Sequence, residues 1–230
     1  MTSISIVFSQ PKNDKFKVLD LLAKSKKAYE TKKNLVIKTT YNFYNSFSSK
    51  KPSETYFGLF LKGDGEYYSK IGSTELINLK DCNIVIDNEL KKIVSNSPID
   101  NSSIDKSYDL TSFCNNFSMF SLSSTNDNWI CTMTAPEITF VPYSKIIVYI
   151  NKSTHLISKQ VMYYLNAIKY KDSKGKIKQD FPKIIIDFRS HSFELGGEKD
   201  RLKKGYYLNT NKGQITPSNK YIGYKLIDNF

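Results

Sequence analysis

The sequence predicts a mainly β, α+β chain: a curved antiparallel half-barrel of about 11 strands, with an N-terminal helix and a short helical lid insertion on the concave face. Three observations carry this. From Asn34 the apolar period changes from 3.6 to two. The strand-like runs that follow are joined by connections of about two to eight residues. These suit hairpins and leave no room for βαβ crossovers, which take about a dozen residues each. A single helical segment stands in front of them.

That helix starts after Asp14, a helix-capping residue type, and runs from Lys15 to about Lys33. Phe16, Leu19, Leu22, Ala23 and Tyr29 recur near the helical period, and lysines gather late, where they suit the C-terminal dipole. In the first strand Leu35, Ile37, Thr39, Tyr41 and Phe43 alternate with Val36, Lys38, Thr40, Asn42 and Tyr44. After a polar break with Pro52 comes TYFGLFLKG, where Thr55, Phe57, Leu59 and Leu61 share a face. Gly63-Asp64-Gly65 signals a tight turn. EYYSKIG, TELINL, CNIVID and LKKIVS then continue a six-strand meander. The stretch Ser95–Asp127 breaks the rhythm. Within it YDLTSFCNNFSMFSL predicts one or two short helices carrying an aromatic stripe of Tyr108, Phe113, Phe117 and Phe120. Strands resume at NWICTMTA and end with YIGYKLI (Tyr221–Ile227). The charged segment Glu194–Lys220 is longer than ordinary connections and reads as a mobile or functional loop.

Bulk properties narrow the function. Thirty-four Lys and Arg against 22 Asp and Glu give a formal charge of +12 across 230 residues. Only Arg189 and Arg201 are arginines, and arginine dominates bidentate reading of bases and phosphates. The lysines therefore read as solubilising, with a transient anionic membrane surface or an acidic partner as their use and no nucleic acid. No CxxC spacing joins Cys82, Cys114 and Cys131, so a zinc ribbon is not expected. They read as three buried thiols, or as one disulfide with a thiol left over. Asp187, Arg189 and His191 alternate along one strand, but no nucleophile elbow accompanies them, and they read as an ion-pair row. His155 sits in a hairpin turn. Gly63–Gly65 leads into a strand rather than a helix, which excludes a phosphate loop. No catalytic residues, metal or cofactor are expected, and the chain reads as a non-enzyme. No composition shift marks a linker, so residues 14–230 are expected to form one domain. Residues 1–13 read as a signal-peptide remnant or a disordered start, because Ile4–Gln10 is apolar yet shorter than a full export core and lacks basic residues before it.

Several phrases carry a family resemblance. KIIVYIN (Lys145–Asn151) leads through Lys152-Ser153-Thr154-His155 into LISKQVMYYL (Leu156–Leu165), and FPKIIIDFRSH (Phe181–His191) follows a polar loop. With FGLFLKGDGEYYSKIG (Phe57–Gly72), this succession resembles the periplasmic outer-membrane lipoprotein carriers of the LolA/LolB-like superfamily, from about Phe16 to Ile227. The resemblance implies an incomplete barrel covered by helices, with acyl chains held between the concave face and a helical lid. It also implies export to the periplasm or cell envelope, and a non-enzymatic carrier or sensor of an acyl chain, a lipoprotein or a similar hydrophobic ligand. A sheet that curls without closing leaves an apolar face its own side chains do not fill. The expected lining is Leu35, Ile37, Tyr41, Phe57, Leu59 and Leu61, covered by Phe113, Phe117 and Phe120. The alternative is a protein–protein interaction module of a bacterial envelope assembly, with no lipid cargo and an envelope protein as partner.

Overall fold

The computed structural model describes residues 13–98, 113–172 and 174–229. The signal-like reading of residues 1–12 and the placement of Tyr108 lie outside them. Helix α1 spans Lys15–Glu30. The Asp14 carboxylate forms an ion pair with Lys17 at 3.3 Å and bonds no helix N–H. The Asp14 main chain fixes the helix start instead: its N–H donates to the Phe120 carbonyl, and its carbonyl accepts from Val18 N–H, both at 3.0 Å. Val18, Leu21, Leu22 and Ser25 are the buried residues, a spacing of i, i+3, i+4, i+7 that defines one stripe. Phe16, expected in the stripe, is 89% exposed. It lies two positions from Val18, about 200° around the helix.

Strands β1 Leu35–Tyr44, β2 Glu54–Gly63, β3 Glu66–Ile71, β4 Thr74–Asn78, β5 Asn83–Asp87 and β6 Lys92–Asn96 form the expected meander. Asp64 and Gly65 both take positive φ, 53° and 81°, as a two-residue hairpin turn requires. Then come β7 Met119–Ser124, β8 Asn128–Thr134, β9 Tyr143–Asn151 and β10 Ile157–Tyr164. A small ribbon, β11 Ile168–Lys171 and β12 Ile177–Asp180, precedes β13 Lys183–Ser192. A second ribbon, β14 Leu208–Asn211 and β15 Gln214–Pro217, precedes β16 Lys225–Asp228. The main sheet has twelve strands in the order β16-β6-β5-β4-β3-β2-β1-β13-β10-β9-β8-β7. It does not close. Two meanders meet where β1 pairs with β13, from Val36 opposite Ser192 to Tyr44 opposite Lys183. Among the described residues every strand pairing is antiparallel except β16 beside β6.

The two faces are covered at opposite ends. On one face α1 packs over β7–β10, and Val18, Leu22, Phe117, Phe120, Met133, Ile146, Val148 and Ile150 form the first core. On the other face the C-terminal segment packs over β2–β6, where Leu61, Tyr68, Ile77, Ile84 and Ile93 meet Leu202, Tyr207, Leu208 and Tyr221. The segment read as a mobile or functional loop is thus a cover, built of 3-10 turns (Gly196–Leu202, Lys204–Tyr206) and the β14–β15 ribbon. Its apolar residues are spaced irregularly, so no period announces them. The three cysteines are buried and free. Burial pushes the Cys131 thiol up to about 12, and the neighbouring Cys114 adds to the shift.

The aromatic insertion also differs from the expectation. Residues 99–112 lie outside the described residues and Phe113 and Cys114 are helical as expected, but from Met119 the chain is strand, with Phe120 opposite Met133. An alternating Phe120/Leu122 pair facing Met133 and Cys131 decides this locally, because cross-strand packing on a buried face outweighs weak helix propensity.

Candidate functional site

The middle of the first face, between the two covered ends, holds a cavity of about 320 Å3. The C-terminal half of α1 roofs it with Leu22, Ser25, Lys26, Tyr29 and Glu30. Its floor is the sheet: Leu35, Ile37, Thr39 and Tyr41 of β1, Phe60 and Lys62 of β2, Tyr67 and Ser69 of β3, Ile157 and Gln160 of β10, Ile186 and Phe188 of β13. The volume is about twice the ~150 Å3 of a cavity that takes up benzene, and sits at the lower end of the ~300–1,000 Å3 typical of ligand pockets. The space exists because α1 crosses only the β7–β10 half closely, while the sheet continues past it.

The register shows how the lining arises. Ile37 stands opposite Phe60 and Thr39 opposite Gly58. Directly opposed residues point to one face, so the odd residues of β1 share the cavity face with the even residues of β2. Gly58 leaves room for Tyr41: a Cβ there would meet Thr39 Oγ1 at 2.1 Å and Tyr41 Cε2 at 2.6 Å. Of the expected residues, Leu35, Ile37, Tyr41 and Leu59 border the cavity. Leu59 pairs with Lys38 and Lys70, which puts it on the sheet face opposite Phe60. Leu61 is fully buried in the second core, and Phe57 is 75% exposed. Phe117 and Phe120 belong to the first core, with Phe113 packed against it, beside the cavity rather than over it. The expected β1 residues thus lie on the cavity side of the sheet, whereas Phe57, Leu59 and Leu61 alternate on the other side of β2, with Leu59 at the cavity border. Both faces of β2 carry apolar residues, but the Phe60 face also carries Glu54 and Lys62, so the pattern along the strand does not pick it out and only the pairing does. Phe60, Tyr67, Ile157, Ile186 and Phe188 were missed for the same reason.

Apolar surface dominates this space, but polar side chains border it too, among them Lys26, Glu30, Lys62, Ser69 and Gln160. Ser25 is 1% exposed, and its Oγ has no hydrogen-bond partner among the described residues. Tyr29 accepts the Ile157 N–H at 2.9 Å and bonds His191 Nε2 at 3.0 Å. Burial raises its hydroxyl to about 12, the Ile157 bond opposing. Burial also lowers the His191 imidazole below its ordinary value. A neutral ring whose Nε2 accepts the Tyr29 proton satisfies both groups. The ring stacks on Phe188 at 5.9 Å. A register shift between Lys38 and Thr39 splits the expected Asp187–Arg189–His191 row. Asp187 bonds Asn42 and pairs with Lys159, and Arg189 bonds Thr40, all on the other face, while His191 turns to Tyr29. Lys26 pairs with Glu30 at 3.7 Å at the rim. Among the described residues no group of three His, Cys, Asp or Glu is arranged to hold a metal, and no helix is long and apolar enough to cross a membrane.

No family model matches the chain, nor does any curated protein sequence. Several solved structures are similar to it. An uncharacterized conserved protein from Thermus thermophilus is 10% identical, with a TM-score of 0.45, over 94% of this chain and 99% of that one. A putative outer membrane lipoprotein-sorting protein domain from Vibrio parahaemolyticus is 13% identical, with a TM-score of 0.38, over 82% and 97%. A LolA superfamily protein from Nitrosomonas europaea is 12% identical, with a TM-score of 0.35, over 82% and 98%.

Proposed function

We propose that this chain is a non-enzymatic carrier or sensor of the bacterial cell envelope that holds an acyl chain or similar apolar ligand beneath α1. The observation that supports this is the cavity itself, an apolar space open between helix and sheet that the side chains of a closed core would fill. Burying hydrocarbon there gains about 0.8 kcal/mol per methylene, so a short length of chain outweighs a few polar contacts. The unpartnered Ser25 hydroxyl favours a ligand with one hydrogen-bonding group over pure hydrocarbon. Ligand enters past α1, which among the described residues supplies the roof of the space.

The test is native mass spectrometry of protein from its host, followed by uptake of a fluorescent fatty acid after delipidation. Phe60→Lys should remove uptake, while Phe57→Lys, on the exposed face, should leave it intact. A clean apo mass with no uptake would overturn the proposal and leave the envelope interaction module as the better reading.

A further inference from the structure

We infer that the edge of the sheet where β1, β9, β10 and β13 meet is a docking surface for an anionic lipid bilayer. Register pairs place these ends in one row: Met119 opposite Thr134, Thr134 opposite Lys145, Lys145 opposite Tyr163, Tyr163 opposite Lys183 and Lys183 opposite Tyr44. The loops beyond the row are tied together. Leu165 N–H donates to the Pro142 carbonyl at 2.8 Å, and Lys183 donates to the Phe47 carbonyl at 2.7 Å. The Phe47 ring lies 4.9 Å from Tyr163 and 5.8 Å from Phe181. The surface is therefore one packed rim with the β11–β12 ribbon rooted in it.

Its exposed chemistry is of two kinds. Apolar side chains stand in water: Phe140 at 103% and Ile138 at 87% exposure, with Ile177, Met119, Phe181 and Phe47 also exposed. Around them the segments 45–54, 135–144 and 165–183 carry eight lysines against four carboxylates, with Lys50, Lys51, Lys169, Lys171, Lys176 and Lys178 all exposed. Apolar tips ringed by lysine match a leaflet whose interior is hydrocarbon and whose headgroups are negative. Single-stranded nucleic acid fits less well. Ile138, Ile177 and Met119 offer no ring for a base to stack on, and neither arginine lies on this rim.

Flotation with vesicles of phosphatidylcholine, with and without phosphatidylglycerol, tests this. The protein should float with the anionic vesicles only, and less as salt rises. Reversing Lys169→Glu and Lys171→Glu should weaken partitioning by about fivefold or more per residue, and Ile138→Asp with Phe140→Asp should abolish it. Lys24→Glu with Lys27→Glu, the same charge change on α1, should have much the smaller effect. Absence of vesicle binding, equal flotation with neutral lipid, or equal loss from the α1 pair would each overturn the inference. So would retention by a single-stranded RNA probe without vesicle binding. All the altered side chains are exposed, and unchanged near-ultraviolet circular dichroism confirms the fold. Fatty-acid uptake by the rim variants is read separately, so failure of the rim and failure of the cavity give different results.

Discussion

Gly58 is the residue on which the cavity's shape turns. Its missing side chain is what lets Tyr41 lie flat across β2, with Tyr41 Cε2 within 2.6 Å of where a Cβ would stand. Gly58→Ala should destabilise the protein by about 1–3 kcal/mol through overpacking. The displaced Tyr41 ring should also reduce fatty-acid uptake, as chemical denaturation and fluorescence titration would show; unchanged uptake would argue that Tyr41 does not bound the ligand. At the other side of the space, His191 is held neutral by burial. Its folded-state pKa lies below the unfolded value of 6.5. Stability is therefore fully present above that value and falls as pH drops below it, until the folded group also protonates. His191→Phe keeps a ring on Phe188 and should flatten the stability profile between neutral and mildly acidic pH. A profile unchanged by the substitution would place the acid sensitivity elsewhere.

At the scale of elements, the C-terminal cover is joined to the sheet by a buried polar network as well as by apolar contacts. Glu75 is buried on β4 and accepts from Tyr68 at 3.0 Å, Asn88 at 3.0 Å, Lys70 at 3.3 Å and Tyr221 at 3.4 Å. Burial works to raise its pKa, but the hydrogen bonds from Asn88, Tyr68 and Lys70 and the lysine charge outweigh it, so the carboxyl titrates below its usual 4.5. Arg201, in the first 3-10 turn of the cover, donates to Tyr68 at 3.1 Å and to Glu198 at 2.6 Å, and so extends the network into the cover. Glu75→Gln should cost about 1–3 kcal/mol, since the surrounding donors lose their charged acceptor. The sign follows from the lowered pKa. The contribution is present above pH 4.5 and lost as pH falls through the folded value, so the variant should show a flatter acid limb. Urea denaturation from neutral to acidic pH would check it.

At the scale of the whole molecule, the sheet carries a cover on each face at opposite ends, and neither half is complete alone. Removing everything after Phe193 would bare Leu61, Tyr68, Ile77, Ile84 and Ile93. Five such side chains represent about 10 kcal/mol of burial, comparable to the ~5–15 kcal/mol that stabilises an ordinary domain. The truncated chain should be insoluble or lack near-ultraviolet dichroism; a soluble, cooperatively unfolding fragment would show that the cover is dispensable. The central joint sets folding speed. Tyr29 and His191 are 162 positions apart, and Asn42 and Asp187 are 145 apart. Contacts so distant in sequence must form before the two meanders become one sheet, which is the pattern of slow-folding β proteins.

Elements that depend on neighbours along the chain could be read from the residues alone. The period-two runs from Leu35 onward, the Asp64-Gly65 turn and the helix after Asp14 were all legible there, whereas the residues left open whether two of the three cysteines pair. The inward face of β1 was legible too, because Lys38 and Asn42 mark its other face as polar. Features that depend on partners distant in sequence emerged only with the pairing of the strands. Phe57, Leu59 and Leu61 alternate as the more apolar face of β2, while Glu54 and Lys62 share the Phe60 face, so the pattern along the strand points away from the cavity. Its side was settled by Ile37 pairing with Phe60, and one step of register exchanges the faces. The union of β1 with β13 brought Ile186 and Phe188 to the cavity, and the turn of Tyr29 toward Ile157 and His191 roofed it. Those choices are made by the burial of whole faces, which no window of adjacent residues contains.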